Sequence, residues 1–284
     1  MSEPLVERIA AEIRAAGPMR FDRFQSLALY DSSEGYYESL GRVGRTGDFV
    51  TGASWHPAFS RAIARIALRL SEELSRAIDV VDVGCGEGEF LSFFADACPD
   101  RQRFRLIGVE GSRMRRAAAK LNVPGAQLLS EVSELPESLT GLVIAYELFD
   151  ALPARALRYT ENGDLVERVV ALDPQGALCW REQSAADSEG MLQVLHARGV
   201  ILEAGQALEV RPASGPLARA LGGRLRSGLV LIFDYGARAR ALYSPTRFNG
   251  TLEAFSGHRV SREVLLSPGH RDLTSWVDFS ELTE

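Results

Sequence analysis

The sequence predicts an α/β fold: a Rossmann-like, doubly wound parallel sheet, preceded by a helical N-terminal segment and interrupted by an antiparallel β meander. Three observations carry this. Between residues 77 and 147, continuous apolar runs alternate with helical patterns, the sign of parallel strands buried on both faces by crossover helices. A glycine-rich loop, VVDVGCGEGEF (80–90), joins the first of these strands to the first crossover helix. From residue 154 the texture changes to strand-like runs separated by Asn162-Gly163 and by Asp173-Pro174-Gln175-Gly176, both turn signals.

Each element has its own reason. In LVERIAAEIRAAG (5–17), Leu5, Ile9 and Ile13 fall on one helical stripe, and Gly17-Pro18 ends it. FDRFQSLALYD (21–31) reads as a second short amphipathic helix. The stretch 32–54 is rich in Gly and Ser yet holds Tyr36, Tyr37 and Phe49, so it reads as an ordered loop with a task. A strongly periodic helix follows over 56–77. AIDVVDVG (77–84), FRLIGVEG (104–111), AQLLS (126–130) and GLVIAYE (141–147) are strands; GEFLSFFADAC (88–98) and SRMRRAAAKL (112–121) are the helices between them. Arg113, Arg115 and Arg116 read as a solvated helix face. GPLARALGGRL (215–225) is a helix, GLVLIFDYG (228–236) a buried strand ending in an acid, and 237–284 a mixed polar tail. The expected division is a helical cap with a GDFVT loop (1–77), a core of 78–153 and 226–284, and an inserted substrate subdomain (154–225).

Composition narrows the function. The 284 residues are 46% hydrophobic and 25% charged, as in ordinary globular proteins. A formal net charge of −6 argues against nucleic-acid binding, which needs a positive surface. Three cysteines without a CxxC pair and four histidines without HExxH give no metal site. No apolar run approaches the ~20 residues of a membrane span, and the N-terminus has no apolar signal core. The expected compartment is therefore reducing and cytoplasmic.

The glycine loop carries the first chemical signal. Gly84, Gly86 and Gly88 let the backbone turn sharply and approach a ligand. The spacing is G-x-G-x-G, with Asp82 two residues ahead. A carboxylate at that strand tip would repel a pyrophosphate and attract a cationic sulfonium. Glu110 ends the next strand, where an acid meets ribose hydroxyls. Cys85, within the loop, has no neighbour that would activate it and reads as a small loop residue. The D-x-G-x-G-x-G pattern is similar to the first motif of class I S-adenosylmethionine-dependent methyltransferases.

Longer blocks resemble one family. RFDRFQSLALYDSSEGYY, GRTGDFVTG, VIAYELFDALPAR, FDYG, GTLEAFSGHRV and PGHRDLTSWVDFSEL resemble, in order, the MidA-like methyltransferases, relatives of a mitochondrial complex I assembly factor that is a protein arginine methyltransferase. The resemblance implies a class I core with S-adenosylmethionine as cofactor and a protein arginine as acceptor, a respiratory-complex subunit being one such partner. Tyr146 stands where the family pattern has Asn, and Trp276 where it has His. The chain ends at Glu284, ahead of the closing strands of such a sheet, so C-terminal strands are expected to be missing.

Asp82, Glu110, Glu147 and Asp234 each end a strand, where ligands of open α/β sheets bind. A guanidinium presents five donors and stays protonated, so it needs carboxylates to orient one nitrogen and to take its proton. Glu147 and Asp150, three apart in ELFDALP, are the catalytic candidates; the alternative is a solvated Glu147 and a turn-capping Asp150. Asp48 and Thr51 of GDFVT join Asp82, Gly84, Gly86, Gly88 and Glu110 as cofactor candidates. Phe149, Asp234 and His258 are substrate candidates, with a core aromatic, a strand-end turn and a structural His as the alternatives. Two rival functions stay open: a small-molecule methyltransferase and a catalytically idle cofactor-binding assembly factor.

Overall fold

Apolar strands long enough to be buried on both faces need helices above and below them, and the middle of the chain supplies both. The computed structural model describes residues 4–39, 56–98 and 100–283. In chain order, α1 (Leu5–Ala16), β1 (Met19–Arg20) and α2 (Phe21–Tyr30) precede α3 (Ala58–Glu73). Then β2 (Ile78–Val83), α4 (Glu89–Ala97), β3 (Phe104–Val109), α5 (Arg113–Asn122), β4 (Gln127–Leu129) and β5 (Leu139–Tyr146) alternate. Next come β6 (Arg155–Tyr159), β7 (Leu165–Leu172), β8 (Leu178–Ser184), α6 (Ser188–Ala197), β9 (Ala207–Val210), α7 (Ser214–Gly223) and β10 (Leu225–Phe233). Short elements close the chain: β11 (Gly236–Ala237), α8 (Ala239–Leu242), β12 (Glu253–Ser256), β13 (Arg259–Ser261), β14 (Asp272–Thr274) and β15 (Val277–Asp278). The chain divides into two compact units, one of residues 37–148 and 217–234, the other of 1–36, 149–216 and 235–284.

The first unit is the parallel, Rossmann-like sheet, in the order β10-β5-β2-β3-β4 with every pairing parallel. Ile78, Val80, Leu142 and Ile144 turn one face to Ile63, Ala64 and Ala67 of α3 and to Phe90, Leu91 and Phe94 of α4. The amino ends of three strands are clipped by Asp79, which accepts from the Thr140 N–H at 2.8 Å and from Arg105 Nε at 2.7 Å. Gly141 and Gly228 lie opposite each other in β5 and β10, and Gly141 also faces Asp79. Their φ values are 146° and 137°. A Cβ on Gly141 would collide with the Asp79 carbonyl oxygen, and one on Gly228 with the Gly141 carbonyl oxygen. Glycine is the residue type that lets these backbones approach so closely.

The second unit is built on an antiparallel sheet, β1-β7-β6-β9, with β8 pairing β7. The expected turns are there: Thr160 N–H bonds Asp164 O at 2.8 Å around Gly163, and Asp173 N–H bonds Ala177 O at 2.9 Å around Gly176. A buried Arg155 crosses the sheet to Glu167 at 2.8 Å and also meets Asp187. The tail is more ordered than its composition suggests. It pairs β12 with β13 and β14, and β11 with β15. Strands of two to four residues leave too little periodicity to read. Helix α6 is likewise absent from the sequence reading.

Gly141→Ala should lower unfolding free energy by about 3 kcal/mol, because the added methyl must displace strand backbone. Urea unfolding of the two proteins measures it, and an unchanged midpoint would refute the close contact.

Candidate functional site

Strand β2 ends in Asp82-Val83 and the chain turns at once. Gly84 and Cys85 donate N–H bonds to Val109 O at 2.8 and 3.1 Å, which ties the loop to the tip of β3. Gly84, Gly86 and Gly88 all have positive φ, and Gly88 opens α4 in the left-handed region. A Cβ on Gly88 would press on Ala119 of α5 at 3.2 Å and on Val123 at 3.0 Å, so this glycine also sets the spacing of the two helices.

Glu110 fastens the loop. One carboxylate oxygen accepts the Gly86 N–H at 2.9 Å and the other the Ser112 N–H at 2.8 Å. Ser112 caps α5 by accepting the Arg115 N–H at 3.2 Å, and its hydroxyl donates to Glu38 at 3.1 Å. Three acids thus gather at the carboxyl ends of β2 and β3. Burial, then the charges of Glu89 and Glu110, push Asp82 up to about 8. Burial also raises Glu89 and Glu110, against the two N–H bonds and Arg115 that pull Glu110 down. The Cys85 thiol is pushed up as well, by burial and then by Asp82, so it is no thiolate nucleophile.

The tip of β5 meets this loop directly. Glu147 is half-buried and sits in the left-handed region, with φ 47°, a conformation that costs a non-glycine residue of order 1–3 kcal/mol. Its N–H bonds Phe233 O on β10 at 2.8 Å. The next residue, Leu148, lies against Gly84: a Cβ there would come within 2.9 Å of Leu148 Cδ1. Glycine loop and ELFDALP block, 61 residues apart from Gly86 to Glu147, are therefore neighbours in space. Beside them Phe59, Tyr146 and Phe233 form an aromatic group, with centroids at 4.8 Å (Phe59–Tyr146), 5.0 Å (Phe59–Phe233) and 6.0 Å (Tyr146–Phe233). Asp234 follows Phe233 at the end of β10.

The rest of ELFDALP belongs to the second unit. Phe149 is fully buried, which fits its core alternative. Asp150 is also buried, and its carbonyl accepts from Ser275 N–H at 3.2 Å and from Arg211 Nη2 at 2.7 Å. Arg211 further reaches Leu152 O (3.2 Å), Trp276 O (2.8 Å), Ser275 Oγ (2.6 Å) and Ser275 O. Tyr30 Oη donates to Ala151 O, and Gln25 accepts the Ala154 N–H, each at 2.9 Å. His258 is exposed at the β12–β13 tip, where it and Gly257 both have positive φ, as a two-residue mirror-image turn requires. Asp48 and Thr51 lie outside the described residues.

Arg115 is not on a solvated face: it is 6% exposed, and its guanidinium carbon lies 4.8 Å from the Tyr37 ring centroid. An arginine in a helix normally reaches water, so no sequence signal separates it from Arg113 and Arg116. Among the described residues no group of three or more His, Cys, Asp or Glu could hold a metal ion, and no helix is long and apolar enough to cross a membrane.

A family model described as "Putative S-adenosyl-L-methionine-dependent methyltransferase" matches residues 62–284. The mitochondrial protein arginine methyltransferase NDUFAF7 of Mus musculus is 26% identical, over 98% of this chain and 69% of its own length. The Danio rerio protein of that name is 25% identical, over 99% and 72%. A superfamily member from Burkholderia thailandensis, crystallised with S-adenosyl-homocysteine, superposes with TM-score 0.86 at 26% identity, covering 98% of this chain and 74% of that one. These curated relatives are mitochondrial proteins, which overturns the expectation of a cytoplasmic compartment. That expectation came from the cysteine count and from the lack of an apolar signal core or membrane span in the sequence.

The folded Asp82 carboxyl keeps its proton to about pH 8, whereas an unfolded one releases it near ~4. Between those values the folded state holds the extra proton, so raising the pH removes stability. Wild type should therefore lose stability relative to Asp82→Asn from pH 5 to 8, on the order of 1 kcal/mol per pH unit at most. Parallel curves in urea melts across that range would show Asp82 ionised throughout.

Proposed function

The chain belongs to this family of S-adenosyl-L-methionine-dependent methyltransferases, and from that premise we propose that it methylates an arginine of a protein partner, with Glu147 holding the acceptor guanidinium. A respiratory-complex subunit is the acceptor to test first. The observation that carries the reading is Glu147 itself: a carboxylate on a left-handed backbone at the tip of β5, one residue from the contact with Gly84.

The residues at the glycine loop fit the cofactor. Bound there, it supplies an electrophilic methyl group on a sulfonium. Asp82 is held neutral by burial and becomes the natural counter-charge once a cation lies beside it. Glu110, anchored by two backbone N–H groups, keeps lone pairs for ribose hydroxyls. Gly86 presents open backbone, since a Cβ there would meet nothing closer than 3.9 Å. The amino end of α4 favours the carboxylate of an aminoacyl group.

Glu147 then has three tasks. Its carboxylate accepts two guanidinium N–H donors, which fixes one nitrogen in line with the methyl group. It offsets the cation's charge in a partly desolvated place. One of its oxygens takes the proton that the acceptor nitrogen gives up. Asp150 we assign to holding the loop, through the carbonyl that Arg211 and Ser275 bond. Asp234 lines the tip of β10 next to Phe233. A second reading, cofactor binding without turnover, draws on Tyr146, whose ring is taken up by Phe59 and Phe233.

Incubation with labelled cofactor and mitochondrial extract tests this. Wild type should label arginine in protein, and Glu147→Gln should reduce the rate at least ~100-fold. Its affinity for S-adenosylhomocysteine should stay within about threefold, because the acceptor carboxylate is not a cofactor ligand. Label in small molecules alone would sink the arginine acceptor. Binding without any transfer would select the second reading.

A further inference from the structure

Among the described residues, Arg115 is a buried charge near the glycine loop whose hydrogen-bonding capacity the first unit leaves unused. Nε and Nη2 are both buried without a hydrogen-bond partner. Its face is covered by the Tyr37 ring at 4.8 Å, and its charge reaches both Glu110 and Glu89. A guanidinium has only donors, and burying two of them unmatched is costly unless a ligand completes the set. Glu110 beside it is an acceptor whose oxygens hold the Gly86 and Ser112 N–H groups. A group that satisfies both neighbours must accept from the arginine while donating to the carboxylate. A hydroxyl does this, and a vicinal diol does it twice.

Resting on the cofactor reading above, we propose that Arg115 is a specificity-determining residue: Nε and Nη2 donate to the ribose hydroxyl oxygens of the cofactor while Glu110 accepts their protons. Tyr37 fixes the plane of the guanidinium by stacking and keeps water from its face. Ser112 sets the start of the helix, so Glu110 and Arg115 reach the diol from consecutive turns of backbone. Arg113 and Arg116, on the same helix, stay outside this task; Arg116 Nη1 is spent on the Glu110 and Gly111 carbonyls.

Calorimetry with S-adenosylhomocysteine and its 2′,3′-dideoxy analogue, on the full chain, decides the matter without turnover. Wild type should prefer the diol-bearing ligand. Arg115→Met should weaken that ligand by about 10–100-fold while changing the dideoxy analogue by less than about threefold. Arg115→Lys, which keeps the charge beside Tyr37 and loses the planar fork, should show the same selective loss should the methionine variant fold poorly. Equal weakening of both ligands, or none, would overturn the proposal and leave Arg115 a structural residue. Failure of the wild-type chain to bind S-adenosylhomocysteine at all is a different outcome: it overturns the cofactor reading, and this inference with it.

Discussion

One carboxylate holds the working edge of the parallel sheet together. Glu110 bonds Gly86 on one oxygen and Ser112 on the other, so the glycine loop, the tip of β3 and the start of α5 form one piece. Without it three glycines with positive φ would give the loop many shapes, since glycine loses more freedom on ordering than any other residue. Two N–H donors and a nearby arginine offset much of what burial costs this acid. Acids also cluster at this edge, because Glu89 and Glu110 both lie within electrostatic reach of Asp82. An acidic, half-neutralised strand edge is poorly suited to a phosphate and well suited to a sulfonium.

A second fastening acts in the other unit. Arg211 spends its donors on backbone carbonyls of Asp150, Leu152, Ser275 and Trp276, so two loops close in sequence to neither one another nor to Arg211 are bound to a single group. Carbonyls in loops are the groups secondary structure leaves unpaired, and a planar guanidinium can serve several at once. This is why the segment after Leu148 holds one shape though it forms neither helix nor strand. Its Pro153 alone would not achieve that.

Much of the first unit could be read from residue pattern. Its strands are continuous apolar runs, its helices fill the intervals, and the glycine loop marks the turn between β2 and α4. The acids at strand ends were readable too, because in a doubly wound sheet a hydrophobic run that stops on a carboxylate marks the edge where ligands bind. What stayed hidden depends on contacts distant in sequence. Arg115 looks like its neighbours until Tyr37 covers it. Arg211 gives no hint of four carbonyls spread from residue 150 to residue 276. The tail strands are too short to show a period, and β9 returns to β6 across an intervening helix.

The string GLVIAYELFDALP shows how the two kinds of information combine. Its first residue must be glycine because a Cβ there would run into the Asp79 backbone of β2. Its apolar centre is the core of the sheet. Tyr146 packs its ring against Phe59 and Phe233. The backbone then enters the left-handed region at Glu147, an unfavourable geometry for a residue with a side chain. Packing alone would favour glycine or asparagine at such a φ. A glutamate there, its N–H bound to Phe233 and its successor pressed on Gly84, is a local strain for which the proposed contact with an acceptor guanidinium would account.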